Sequence, residues 1–122
     1  MKIRIKGPSI RLRLSKSEVH QLVHEGRLEE ATPFAGKNFV YALQKTDDGD
    51  ALSANFEGDI ITMYVPQQLI QGWDTNTLVT IDAHMPLPKG DSLYLLLEKD
   101  FQCLDKTEED QSDNYINPNK TC

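Results

Sequence analysis

The first fourteen residues, MKIRIKGPSIRLRL, alternate cationic and aliphatic side chains: Ile3 and Ile5 fall between Lys2, Arg4 and Lys6, and Ile10, Leu12 and Leu14 flank Arg11 and Arg13. Successive side chains of a β-strand point to opposite faces, so a period of two makes strands with one apolar and one basic face. A chain that opens this way needs a core on one side of a sheet and solvent or an anionic partner on the other. Gly7, Pro8 and Ser9 interrupt the pattern. They read as a turn joining two short strands, with a bulge inside one long edge strand as the alternative. The same alternation leaves no apolar run for a secretion signal or a membrane span, so the expectation is a cytoplasmic protein with no membrane partner.

Downstream, Ser15 and Glu18 form an S-x-x-E capping box, with Leu14 and Val19 placed for a hydrophobic staple. A helix therefore starts at position 15 or 16 and stops at Gly26. Its apolar stripe of Val19, Leu22 and Val23 is narrow and needs a sheet to cover it. After a strand near residues 28–34, residues 38–65 read as a meander of three antiparallel strands. Phe39, Tyr41 and Leu43 alternate, residues 46–50 form a hairpin loop, Leu52, Ala54 and Phe56 alternate again, and Gly58 and Asp59 turn the chain into residues 60–65. Pro66 suits the first position of a second, short helix with Leu69, Ile70 and Trp73 on its core side. Two last strands, residues 77–83 and 92–98, flank the loop that begins at Pro86. The sum is an α+β fold: a mostly antiparallel sheet, open or curled toward a barrel, with two helices on one side.

A chain of 122 residues suits one domain. Its composition shifts near Asp100, where aliphatic residues give way to Asp, Glu, Asn and Lys. The expected organisation is an α+β domain over residues 1–99 and an acidic C-terminal tail, residues 100–122, packed on that same domain. The net charge of -6 argues against a nucleic-acid partner, which requires a basic footprint to displace counterions. The distribution of charge says more, because residues 1–16 hold six cations and no acid, whereas residues 100–122 hold six acids and two lysines.

Three groups of residues could carry chemistry. Lys2, Arg4, Lys6, Arg11 and Arg13 could line a groove that binds a phosphate or another anion. The plainer and preferred reading is an edge strand whose cations prevent association between sheets, with Glu29, Glu30 and Glu98 pairing across the sheet. Cys103, Asp105 and Cys122, with His84 as a further donor, could hold zinc. The preferred reading is two free thiols, and a Cys103 to Cys122 disulfide is the third option. In the preferred reading Phe101, Leu104, Tyr115 and Ile116 pack the tail against the domain while its acids face water or the basic strands. His20 and His24 lie four apart, a spacing at which two imidazoles share a metal, but Gln21 stands where a protease motif carries Glu. With no third ligand in sequence range, they read as two histidines at the solvent edge. No G-x-S-x-G, P-loop or G-x-G-x-x-G occurs in the sequence.

KIRIKGPSIRLRL followed by SEV, together with EKDFQCLD, the ED and SD acids, NP and the closing Cys122, resembles a family of small bacterial proteins of unknown function, nearly end to end. That resemblance implies a compact bacterial cytosolic protein and assigns no residue roles. A fainter similarity is to the triphosphate tunnel metalloenzymes, curled barrels whose early E-x-E-x-K holds metal and phosphate. Here Lys2-Ile3-Arg4-Ile5-Lys6 puts cations where those acids stand. The departure goes against metal-dependent phosphohydrolysis and leaves anion binding in a cupped sheet. The resulting expectation is a non-enzymatic binding or interaction domain, whose basic strand face takes an anionic small molecule or a protein partner and is covered or contested by the acidic tail. The alternatives are a phosphate-handling enzyme using Arg4, Arg11, Arg13 and Glu98, and a cysteine and carboxylate metal-binding protein. No cofactor is expected beyond that zinc ion.

Overall fold

Gly7 and Pro8 fold the opening alternation into a hairpin of β1 (Lys2–Ile5) and β2 (Ser9–Leu14), in which Lys2 lies opposite Arg13 and Arg4 opposite Arg11. Gly7 sits at φ 52°, and the Lys6 amide donates to the Ser9 carbonyl at 3.1 Å. A positive φ at the first central position suits a two-residue hairpin, because the turn then twists with its strands. The computed structural model describes residues 1–101 together with Asp113 and Tyr115.

Helix α1 (Lys16–Glu25) is capped as its sequence dictates. The Ser15 amide donates to Glu18 Oε1 at 2.9 Å, the Glu18 amide donates to Ser15 Oγ at 3.4 Å, and Gly26 ends the helix at φ 85° with its amide on the Leu22 carbonyl at 3.0 Å. Six strands follow among the described residues: β3 (Arg27–Phe34), β4 (Lys37–Thr46), β5 (Ser53–Glu57), β6 (Ile60–Pro66), β7 (Thr80–Pro86) and β8 (Ser92–Lys99).

These strands form two four-stranded sheets, ordered β1-β2-β8-β7 and β3-β4-β6-β5. Each is open at both edges, which corrects the expectation of one sheet curled toward a barrel. The three-strand meander is also corrected, because β4 pairs with β6 in parallel and β5 pairs with the other side of β6. Burial explains the order. Strand β6 is buried over most of its length and belongs inside a sheet, whereas β5 is largely exposed and fits an edge. Strand β8 takes the equivalent inner place, parallel to β2 and antiparallel to β7. Both sheets thus follow one plan, two antiparallel hairpins joined through parallel pairing of their second strands.

The second helix is reduced to a single 3-10 turn, Gln67–Leu69. Pro66 stays extended, at φ -59° and ψ 135°, and Gly72 turns the chain again at φ 71°, so no room remains for a longer helix. Ile70 and Trp73 nevertheless enter the core, and the Trp73 indole donates to the Leu78 carbonyl at 2.7 Å. One continuous apolar cluster joins Leu12, Leu14, Leu95 and Leu97 of the first sheet to Leu43, Met63 and Val65 of the second, with Val19 and Leu22 of α1. Full burial of each such aliphatic side chain contributes about 1.5–3 kcal/mol.

Candidate functional site

The period of two puts Lys2, Arg4, Arg11 and Arg13 on the outer face of the first sheet, opposite the core. Register sets them in rows that cross the sheet: Lys2, Arg13, Glu98 and Thr80 in one, and Arg4, Arg11, Leu96 and Asp82 in the next. Like charges directly opposed across two strands destabilise a sheet unless something neutralises them. Glu98 does so in part, since its Oε1 lies 2.6 Å from Arg13 Nε and 3.4 Å from Arg11 Nε. Lys2 Nζ pairs with Asp100 at 3.2 Å. The Tyr94 hydroxyl donates to Asp82 at 2.8 Å, which holds its phenol above the usual range. Arg4 and Lys6 have no acidic partner among the described residues, and with Ser9, Arg11 and Tyr94 they line a groove of ≈ 200 Å³.

Of the acids expected to pair with this face, Glu98 does. Glu29 and Glu30 lie in the other sheet, where Glu29 pairs with Arg27 and Glu30 with the Met1 ammonium. His84, on β7, is exposed and stacks on the Tyr94 ring at 4.7 Å between centroids. Its expected zinc partners Cys103, Asp105 and Cys122 lie outside the described residues, as do Leu104 and Ile116.

Sequence reasoning missed a different convergence. The helical spacing stacks the His20 and His24 rings at 4.2 Å, and Asp74, on the loop that follows the buried Trp73, reaches both of them. Asp74 Oδ2 lies 2.8 Å from His24 Nε2 and 3.3 Å from His20 Nδ1. The hydrogen bond with His24 is the main cause holding the Asp74 carboxyl below its ordinary value. The ligand atoms of all three residues lie within 4.8 Å of one another, so the cluster can coordinate a metal such as zinc. The histidine pair was legible in the sequence, but its third member stands fifty residues further on, where no motif spacing reaches it.

Near the end of the described chain, the Asp113 carboxylate accepts from the Ser17 hydroxyl at 2.5 Å and the Ser17 amide at 3.2 Å, while its carbonyl accepts from the Lys16 amide at 2.9 Å. An acid at a helix N-terminus completes orphan N–H groups and meets the positive end of the helix dipole. Tyr115 forms a bridge to Phe101, with the two rings edge-on at 5.8 Å. The Lys99 side chain is buried, with Nζ donating to the Asn76 carbonyl at 2.7 Å and lying 4.9 Å from the Tyr115 ring and 5.6 Å from that of Trp73. Burial pushes its pKa down.

Among the described residues no helix is long and apolar enough to cross a membrane. No curated protein and no solved structure matches the chain. The sequence model of a family of unknown function, DUF7009, matches residues 1–119. That match spans nearly the whole chain, which therefore belongs to this family.

Proposed function

We propose that the chain is a non-enzymatic binding domain that takes a small phosphate-like anion on the outer face of the β1-β2-β8-β7 sheet. The observation that carries this reading is the groove of ≈ 200 Å³ beside Arg4, Lys6 and Arg11, where Arg4 and Lys6 have no acidic partner among the described residues. Edge protection accounts for cations on β1, which is an edge strand. It gives no reason for Arg11 and Arg13 on β2, which lies inside the sheet. An anion bound between Arg4 and Arg11 would relieve the repulsion that their register creates. Pockets for drug-sized ligands hold about 300–1,000 Å³, so a groove of this size favours one phosphate group over a nucleotide. A phosphate-handling enzyme is the weaker reading, because Glu98 is engaged by two arginines as their counter-ion and is not free to act as a base.

Calorimetric titration of inorganic phosphate and pyrophosphate into three proteins tests this: wild type, Arg4→Gln/Lys6→Gln, and Lys37→Gln, whose cation belongs to the other sheet. Hydrogen bonds to charged groups contribute about 1.5–3 kcal/mol each, so the double variant is expected to bind about tenfold more weakly or worse. Lys37→Gln should match wild type. Equal binding by all three, or none by wild type, would overturn the reading.

A further inference from the structure

We propose that His20, His24 and Asp74 form a three-donor site for a divalent transition ion of the Zn²⁺ class, which ties helix α1 to the loop after Trp73. Zinc lies about 2.0–2.1 Å from imidazole nitrogen and about 2.0–2.2 Å from carboxylate oxygen. Two donors at those lengths stand about 2.8–3.0 Å apart at octahedral angles and about 3.3–3.5 Å apart at tetrahedral ones. The observed separations from Asp74 Oδ2, 2.8 Å to His24 Nε2 and 3.3 Å to His20 Nδ1, are already close to that spacing. A hydrogen bond alone would need one imidazole, whereas here two rings direct different nitrogens at the same oxygen atom.

Both sides of the site are held in place. The helix is fixed by its capping box at one end and Gly26 at the other, so His20 and His24 keep one face. Asp74 follows the fully buried Trp73, whose indole is bonded to the Leu78 carbonyl, and the Thr75 and Asn76 amides both donate to the Gly72 carbonyl at 3.0 Å. The carboxylate is the shielded member, with its side chain 14% exposed against 67% for His20 and 55% for His24. The rings can therefore shift to receive an ion, and a remaining coordination position opens to water. Two imidazoles and one carboxylate suit Zn²⁺, Co²⁺, Ni²⁺ or Cu²⁺ and are poor ligands for Ca²⁺ or Mg²⁺, which prefer all-oxygen sites. The site shares no residue with the basic face, so either can fail without the other.

The test is Zn²⁺ titration by calorimetry and Co²⁺ titration by visible absorption, on the full chain carrying Cys103→Ser and Cys122→Ser so that thiolates cannot contribute. One ion per chain is expected, with affinity reduced about tenfold or more in His24→Gln and in Asp74→Asn, since loss even of an outer-shell partner costs 10–100-fold. The exposed histidines make His20→Gln and His24→Gln variants that should fold, and their unchanged circular dichroism would verify it. No binding by the cysteine-free chain, or equal binding by His24→Gln, would overturn the proposal. In parallel titrations with both cysteines kept, binding that survives His24→Gln but is lost in the cysteine-free chain would assign the ion to the thiolates and overturn it equally.

Discussion

Asp113 turns the acidity of the C-terminal region into a helix cap. Its carboxyl is held below the ordinary carboxylate value, first by the hydrogen bond from the Ser17 hydroxyl and then by Ser15. The folded pKa is therefore lower than that of the unfolded chain, about 3.9. A depressed carboxyl stabilises the fold above the unfolded pKa, and that contribution is lost as pH falls through the folded pKa. Asp113→Asn should accordingly lose about 0.5–1 kcal/mol at neutral pH, the lower part of the range for a lost cap, because the Ser15 capping box remains. Thermal melts at neutral pH and at successively lower pH below about 4 would check it: the gap between variant and wild type should narrow steadily as pH falls, and a gap that stays constant would mean that the carboxylate charge is not the source. At this scale the sequence was partly legible. Acids and basic strands were expected to meet, and Asp100 does pair with Lys2. Docking of Asp113 on α1 was not legible, since it depends on where the chain returns.

Between β5 and β6 the chain turns through Gly58 at φ 57° and Asp59 at φ 65°, and Asp59 is the only non-glycine residue with positive φ among those described. A two-residue hairpin with both central residues left-handed is a I′ turn, which accepts Gly, Asn and Asp. Other L-residues there cost about 1–2 kcal/mol. Asp59→Ala is expected to lose about 1 kcal/mol in urea denaturation while Asp59→Asn stays within about 0.5 kcal/mol of wild type. Equal losses would place the effect in the ion pair with Lys37 at 3.4 Å. Helix α1 and this hairpin were readable because caps and turn residues act within a few positions. Pairing of β4 with β6 was not, because a local pattern favours the neighbouring strand and the parallel partner is chosen by burial on both sides of β6. The helix expected after Pro66 failed for a related reason: its apolar residues mark burial, which a turn satisfies as well as a helix does.

At the scale of the whole molecule, both sheets feed one apolar cluster, so neither can open its inner face without exposing the other's. Unfolding should be a single cooperative transition. The emission of Trp73, the only tryptophan, and the far-ultraviolet circular dichroism should share one urea midpoint. Leu12→Ala, at a position 1% exposed, should lower both midpoints together by about 2–5 kcal/mol of stability. Separate midpoints would mean that the sheets unfold independently. The α+β class, the strand faces, the capped helix and the basic surface are all readable from the residues alone, because periods of two and 3.6 and capping chemistry are written in neighbouring positions. Folding in three dimensions sets the rest: the two open sheets of the described residues, the parallel run of their inner pairs, Arg4 facing Arg11 beside a groove, and Asp74 meeting His20 and His24. Each of these depends on contacts between distant segments, whose selection follows from shared burial rather than from any local pattern.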